Sequence, residues 1–325
     1  MSKLIKAAGI GLVLAGIVTS PAMAQDRYPS NTVRVVVGYP PGAIADLSAR
    51  MLAQRLATQM SASFIVDNKP GAGTQIANDF VAKSRPDGYT MLYNDASITM
   101  GRALGVEMNY DLFRDLAPVS RTLFTPLLLF VELNLPVSTL ADFIAHVRAN
   151  PDKLSYGSSG IGAPNHLGPL LFLQTHNIKS VHVPYSKGGT AAYMIDIVAG
   201  RLPWAVAGVT AVMPLAKDRK IKVLAIGSQQ RSPLLPDVPT FTETMPGFQM
   251  GSWYGAMVAA KTPTAIIQRL NGEIVKAMQD AELRAKLAQE GAEPVTSTPE
   301  GYGAYLKTEL DRWTTVVKTA GVKLE

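Results

Sequence analysis

Two turns rich in glycine and small residues lie near the start of the chain, each where a short apolar strand leads into a helix. Backbone N–H groups converge at such turns, and a helix N-terminus carries about half a positive charge. A small carboxylate can therefore bind there without Lys or Arg. The candidate contacts in the two turns are Gly42, Ala43, Ala45, Asp46, Gly71, Ala72, Gly73 and Thr74.

Several of these residues have a simpler role available. Asp46 can cap the helix that begins nearby through its side chain, which would hold the turn in shape without touching a ligand. Gly71 and Gly73 can serve turn geometry alone. Both interpretations stay open at the level of sequence.

Further candidates follow other predicted strands, where ligands of open α/β sheets bind. They are Asp95 and Ser97 after the third strand, Ser158, Ser159 and His166 in the middle of the chain, Gly208 after a later strand, and the aromatic residues Tyr39 and Trp204 as cleft walls. The serines can instead form turns. His166 and the two aromatic residues can equally be core residues, and His182 has the same structural alternative.

The enzyme, cofactor and metal signatures tested here all fail. In Gly157-Ser158-Ser159-Gly160-Ile161, Ile161 stands where the G-x-S-x-G elbow needs glycine, and the same run misses G-x-G-x-x-G. The four histidines show no metal-ligand spacing. We therefore expect no catalytic residue, no metal and no cofactor. A secreted hydrolase using Ser158 or Ser159 remains an alternative, as does a ligand-sensing module for a signalling partner.

The composition excludes some classes of protein. The chain has no cysteine, so it offers no disulfide, thiolate nucleophile or cysteine metal site. Its net charge is +6, and the basic residues are interspersed with acidic ones. The densest basic run, 217–222, has no interleaved aromatics, which argues against nucleic-acid binding.

The first 24 residues have the pattern of an export signal. Lys3 and Lys6 precede the apolar stretch Ala7–Val18, and Ala22-Met23-Ala24 matches the cleavage pattern. The apolar stretch is too short to span a bilayer. We expect cleavage after Ala24 and a periplasmic protein; the alternative is an uncleaved anchor.

Beyond this signal, short apolar strands alternate with amphipathic helices, which predicts an α/β fold with mainly parallel sheets. The chain is long enough for two lobes. A strand at 223–226 is predicted to return towards the first lobe. The expected division is a first lobe of residues 25–125 and 228–325, with an inserted second lobe of residues 126–227 and a cleft between them.

Five blocks carry a family resemblance, each weak alone but specific in this order. They are Val33 to Arg50, Val66 to Gly73, Gly157-Ser158 to His166-Leu167, His182-Val183-Pro184-Tyr185, and Arg231 to Thr240. Together they resemble the extracytoplasmic solute receptors of tripartite tricarboxylate transporters, often called Bug receptors, over essentially the whole chain after the signal.

The resemblance implies a two-lobed periplasmic binding protein of type II topology, each lobe a βα sandwich, with the ligand in the interlobe cleft. It implies a small carboxylate ligand, held largely by backbone N–H groups and ordered water. It also implies delivery to a membrane complex of one large and one small integral subunit. We expect a monomer.

Two departures from the family pattern bear on the ligand. Ala43 stands where the first turn usually has a second glycine, which suggests a different or tighter loop. The stretch Leu202–Thr210 lacks the acid that accepts the ammonium of an amino-acid ligand in relatives. The sequence therefore predicts a ligand without an amino group, although Asp95 could supply the missing acid.

Overall fold

The computed structural model describes residues 28–323. The export signal therefore lies outside the described residues. Its strands are β1 (Val33–Val37), β2 (Phe64–Asn68), β3 (Thr90–Asp95), β4 (Leu116–Glu132), β5 (Ser155–Ser158), β6 (Val181–Pro184), β7 (Trp204–Gly208), β8 (Ile221–Ile226), β9 (Gly251–Ala259) and β10 (Glu293–Pro294). Its α-helices are α1 (Ile44–Met60), α2 (Gln75–Ala82), α3 (Ser97–Ala103), α4 (Leu140–Ala149), α5 (Pro164–His176), α6 (Gly189–Val198), α7 (Val209–Lys217), α8 (Thr264–Gln279), α9 (Ala281–Gln289) and α10 (Pro299–Ala320).

The strands form two sheets that share β4. In the first sheet, β2, β1 and β3 are parallel, β9 pairs antiparallel with both β3 and β4, and β10 joins β4. In the second sheet, β6, β5 and β7 are parallel, and β4 pairs antiparallel with β7 and β8. The predicted α/β class is confirmed, but the sheets are mixed where the sequence predicted mainly parallel ones: among the described strand pairings, four are parallel and five are antiparallel.

β4 is longer than the sequence suggested. The apolar run Leu127–Val131 by itself predicts a short strand, whereas the observed strand begins at Leu116. Its pairing partner changes along its length: Pro126 is opposite Gly251 of β9, and Leu127 is opposite Gly208 of β7. β4 therefore carries the chain from one sheet to the other at Pro126–Leu127.

The chain returns to the first sheet through a segment that follows β8. Residues 228–250 pack on the second sheet: Ile226 forms a bridge with Thr240, and Phe241 packs edge-on against Phe172 at a centroid distance of 5.6 Å. The chain re-enters the first sheet at Gly251, where β9 begins, and the division into lobes at 227/228 stays a prediction. Apolar burial keeps the intervening loop with the second sheet.

The two crossings between the sheets lie side by side. The N–H of Gly227 donates to the carbonyl of Leu127 at 2.9 Å, and the N–H of Met250 donates to the carbonyl of Gly227 at 3.1 Å. Leu127 in turn donates to the carbonyl of Met250 at 2.9 Å. Three backbone segments thus meet at one point, which fits a hinge.

Burial explains why the first strand and helix form. β1 buries Val36 in one core and Val33, Val35 and Val37 in another, as expected for a strand covered on both faces. In α1, Leu52 and Leu56 are buried at helical spacing and pack into the same core. The turn between β1 and α1 is thereby fixed at the carboxyl edge of the first sheet.

Candidate functional site

The carboxyl ends of strands from both sheets surround a cavity of about 350 Å³, here called the first cavity. This volume is within the range of small-molecule sites. Its lining residues are Tyr39, Ala43, Ile44, Ala45, Asp95, Thr125, Pro126, Leu127, Ser159, Pro164, Asn165, Thr190, Ala207, Gly208, Val209, Thr210, Ser252, Tyr254, Glu290 and Gly291. Six expected site residues are among them: Tyr39, Ala43, Ala45, Asp95, Ser159 and Gly208.

The N-terminus of α1 lies at this cavity without a side-chain cap. Ala43 at the N-cap is extended, with φ −66° and ψ 154°. Among the described residues, the N–H groups of Ile44 and Ala45 find no hydrogen-bond partner. Donors that a helix cannot satisfy internally are available to an anion.

The side chain of Asp46 stabilises this turn. Its carboxylate accepts from the N–H of Gly42 at 2.9 Å and from Asn68 Nδ2 at 2.8 Å, and it forms an ion pair with Arg50 at 2.9 Å. Although burial acts to raise the pKa of Asp46, these hydrogen bonds lower it overall. Asp46 and Gly42 do not line the first cavity, and the Gly42 N–H is already engaged, so both residues shape the turn.

Tyr39 is held in place by Asp95. Its hydroxyl donates to Asp95 Oδ2 at 2.7 Å, and the N–H of Ser97 donates to Asp95 Oδ1 at 3.2 Å. Burial raises the pKa of Asp95, while the bonds from Ser97 and Tyr39 oppose the shift. Burial also raises the pKa of Tyr39, as does the nearby Asp95 charge.

The second sheet contributes Ser159 and Asn165. The hydroxyl and the N–H of Ser159 both donate to Asn165 Oδ1, at 2.9 and 3.1 Å. Asn165 Nδ2 donates to the hydroxyl of Tyr193 at 3.1 Å. These bonds fix the loop ahead of α5, whose N-cap, Ala163, has no side-chain cap either.

Ser158, next to Ser159, is fully buried and outside the cavity. Its hydroxyl lies 2.6 Å from His182 Nε2, and the His182 ring stacks on His166 at a centroid distance of 3.9 Å. His166 Nδ1 accepts from the N–H of Gly162 at 3.0 Å. These contacts make His166, His182 and Ser158 internal supports of the loop, and a buried hydroxyl is poorly placed to attack a substrate.

Desolvation keeps the imidazole rings of His166 and His182 uncharged at neutral pH. Burial, together with the charge that His182 would carry, lowers the pKa of His166 to about 3. Burial lowers the pKa of His182 to about 4.

Trp204 is also an internal residue, which corrects its expected position on the cleft wall. Its side chain is fully buried, and Nε1 donates to Ser180 Oγ at 3.0 Å. The ring packs on Tyr156 at 4.9 Å and on Phe143 at 5.1 Å. Both faces of β7 are buried, with Trp204 and Val206 on one face and Ala205 on the other, so only Ala207 and Gly208 at the end of the strand reach the cavity.

A larger second cavity of about 590 Å³ adjoins the first and shares Tyr39, Ser159 and Pro164 with it. Its lining residues are Tyr39, Ala72, Gly73, Gln75, Ser97, Gly101, Leu104, Val106, Ser159, Gly160, Ile161, Gly162, Ala163 and Pro164. The second Gly-rich turn thus contributes Ala72 and Gly73 here and not to the first cavity. Gly71 and Thr74 line neither.

The charge of the two cavities is unusual for a carboxylate site. Of all their lining residues, only Asp95 and Glu290 carry a charge, and both are acids. An anion must therefore be held by N–H groups and hydroxyls. Within residues 28–323 there is also no cluster of three side chains suited to a metal ion.

Sequence reasoning missed several lining residues. Asn165 had a weak signal, since Pro164 is a favoured first residue of a helix and marks where α5 begins. Thr125, Ser252 and Glu290 had none, because they reach the site from β4, β9 and the end of α9 through tertiary packing.

The model of the tripartite tricarboxylate transporter family receptor matches residues 48–322. The chain belongs to this receptor family. The matched residues include strands of both sheets, whereas β1 and the cavity residues Tyr39, Ala43, Ile44 and Ala45 precede the match. The family is one of transporter receptors.

Relatives of this receptor extend over its whole length. The protein BugT of Bordetella pertussis is 32% identical to the chain, covering 100% of it and 99% of BugT. A structure of an R. palustris protein with adipate is 33% identical with a TM-score of 0.76, covering 91% of this chain and 99% of the other. The predicted resemblance to Bug receptors is confirmed.

A second solved structure, MatC from Rhodopseudomonas palustris with bound malate, is 28% identical with a TM-score of 0.71. It covers 89% of this receptor, which covers all of MatC. The structural neighbours include periplasmic binding proteins. Between residues 28 and 323, the receptor has no helix long and apolar enough to cross a membrane.

Proposed function

We propose that this receptor captures a small carboxylate in the first cavity and delivers it to a membrane transporter with one large and one small integral subunit. One observation carries the proposal: three helices, α1, α5 and α7, begin at a cavity that has no cationic side chain, and none of the three has a side-chain cap. By contrast, α4, α9 and α10 are capped by Thr139, Asp280 and Thr298, and none of these caps lines either cavity.

The chemistry of capture follows from these free helix ends. The N–H groups of Ile44 and Ala45 are fixed in direction by the helix and need no rearrangement to meet a carboxylate. The hydroxyl of Thr190 lines the same space and can complete the coordination, whereas the hydroxyl of Thr125 already donates to the carbonyl of Ser252 at 3.2 Å. Adipate and malate in the two solved relatives support a carboxylate as the ligand class.

Capture by closure of two lobes is the proposed motion. The lobes meet on both sides of the cleft: a Cβ on Gly162 would lie 2.4 Å from Leu104 Cδ1, and a Cβ on Gly291 would lie 2.5 Å from Val209 Cβ. The adjacent crossings at Leu127, Gly227 and Met250 supply the hinge. Ligand that touches both lobes favours the closed state. X-ray scattering should show a smaller radius of gyration with ligand; an unchanged curve at saturation would mean a rigid cleft.

The anion site can be tested by removing one donor. Ile44→Pro deletes the N–H at the first helical position, where proline is favoured, and the extended Ala43 accepts a following proline. Ile44→Val is the matched control, since it keeps the N–H in a side chain of similar size. Native mass spectrometry should first identify ligand retained on purification. In calorimetric titration, the Ile44→Pro variant should bind that ligand about tenfold or more weakly than the Ile44→Val variant. Equal affinities of the two variants would place the anion site elsewhere.

Delivery needs a separate experiment in cells. If the receptor serves transport, deletion of its gene should abolish uptake of the labelled ligand, and the wild-type gene should restore it. Loss of a transcriptional response with uptake intact would instead indicate the sensing role.

Glu290 favours a second candidate, an amino-acid ligand. It lies at the first cavity, and no ion pair to it is found within the described residues. A ligand ammonium could pair with it, although the oxygens of Asp95 already accept from Tyr39 and Ser97. Titration with glutamate, aspartate, citrate and malate separates the two: amino acids that bind to wild type but not to Glu290→Gln would replace the plain acid as the ligand.

A further inference from the structure

The second cavity has aliphatic walls on both sides of the cleft. Leu104 and Val106 follow α3, and Ile161 lies in the loop before α5. All three side chains are half-buried, so none is fully used in the core. An aliphatic surface that stays accessible inside a cavity is stabilised by an apolar occupant.

The polar side chains of this cavity already have partners in the protein. Gln75 accepts from the hydroxyl of Tyr110 at 3.0 Å, and Ser97 and Tyr39 both bind Asp95. Ser159 donates to Asn165. Among the described residues, Gln75 Nε2 is the single side-chain donor of this lining without a hydrogen bond, so a charged or strongly polar ligand group finds one amide here and no cation.

A second carboxylate is poorly accommodated. The second cavity has no charged lining residue, and the adjoining first cavity has two acids. The backbone donors of Ala72 and Gly73 lie at its exposed edge, where water competes for them. A second carboxylate in the second cavity would thus meet no cation, and its backbone donors are exposed to water.

The two cavities adjoin at Tyr39, Ser159 and Pro164, which line both. A ligand anchored at the start of α1 therefore lies next to the second cavity. The bond from Tyr39 to Asp95 holds the phenol side chain at this boundary.

We propose that the second cavity is a subsite for the apolar body of a monocarboxylate, whose single carboxylate is bound in the first cavity. The ligand class is then an alkyl or aryl monocarboxylic acid in preference to a short dicarboxylate. This inference rests on the proposed carboxylate function and specifies its substrate.

Matched acids test the subsite by calorimetry. Across propionate, butanoate, pentanoate and hexanoate, affinity should rise about two- to fourfold for each methylene that is buried. Hexanoate should bind at least tenfold more tightly than adipate, which has the same chain length and a second carboxylate. Adipate binding as tightly as hexanoate, or a flat alkyl series, would overturn the subsite while leaving the carboxylate receptor intact. If none of these acids nor citrate or malate bound, the proposed function itself would fail.

The second test uses a substitution that fills part of the second cavity with a new side chain. A Cβ on Gly101 would lie at least 3.6 Å from its neighbours, so α3 tolerates a side chain there that points towards Gln75 and Val106. Gly101→Leu should weaken hexanoate binding at least tenfold and largely retain propionate binding. Leu133→Ala, an exposed leucine outside both cavities, is the control and should change neither. If the Gly101→Leu variant lost affinity for hexanoate and propionate equally, with its free energy of unfolding unchanged, the subsite would be contradicted.

Discussion

The hydroxyl of Tyr39 donates to Asp95 Oδ2 at 2.7 Å, joining the turn after β1 to the turn after β3. Tyr39 lines both cavities and Asp95 the first. The bond therefore determines where the boundary between the cavities lies, and it gives a buried acid one of its few donors.

We expect Tyr39→Phe to lower the free energy of unfolding by about 1 to 2 kcal/mol, since a buried carboxylate loses a hydrogen bond. Ligand affinity should fall as well, because the ring is no longer held at the boundary. Urea denaturation and calorimetry measure the two effects. Tyr305→Phe is the control, as the Tyr305 hydroxyl makes no hydrogen bond within the described residues; matching losses in both variants would deny Tyr39 a special role.

Asp46→Ala should affect binding without removing a ligand contact. It leaves the Gly42 N–H, Asn68 and Arg50 without their common acceptor, which should cost about 2 to 3 kcal/mol of stability and weaken ligand binding. Asp142→Ala breaks a capping box at the start of α4, away from the cavities, and should cost about 1 kcal/mol with affinity unchanged. Affinity retained in Asp46→Ala would show that the turn holds its shape unaided.

Gly227 lies at the crossing point of the chain, where a Cβ would be 1.8 Å from the carbonyl oxygen of Met250. Gly227→Ala should therefore destabilise the protein by more than about 2 kcal/mol and disturb closure. Gly272→Ala, within α8, has open space around the new Cβ and should raise stability by about 0.5 to 1 kcal/mol. Thermal unfolding compares the two, and a neutral Gly227→Ala would mean that the crossing is free to shift.

The stacked histidines predict a loss of stability in acid. The pKa of His166 is about 3 and that of His182 about 4 in the folded protein, against 6.5 for an ordinary histidine. Between these values the unfolded chain binds protons that the folded one does not. The free energy of unfolding should thus fall as the pH drops from about 6.5 to about 4, by up to about 1.4 kcal/mol per pH unit for His166 and by less for the more exposed His182, whose charge water screens.

Urea denaturation at several pH values tests this dependence, with His166→Gln as the variant. Its curve should run parallel to that of the wild type above pH 7.5 and fall less steeply below pH 6.5. Identical slopes throughout would mean that His166 titrates normally in the folded state.

Much of the fold followed from local pattern. The alternation of apolar strands and amphipathic helices determined the α/β class, and the ordered blocks around Gly42, Gly71 and Ser158 determined the family. Strand and helix periodicity is a property of neighbouring residues, so it can be read from a sequence alone. The turn at the start of α1 is the part of the candidate site whose position at the end of a strand local pattern alone could predict.

The tertiary structure decided which candidates meet at the site. Trp204 and Val206 pack in the core of the second sheet, whereas Glu290 reaches the cavity from the end of α9, near the end of the chain. The separation of Ala43 and Gly73 into different cavities likewise depends on how the two lobes approach each other. Local pattern cannot decide these points, because the facing of a side chain and the meeting of distant segments depend on the packing of the whole chain.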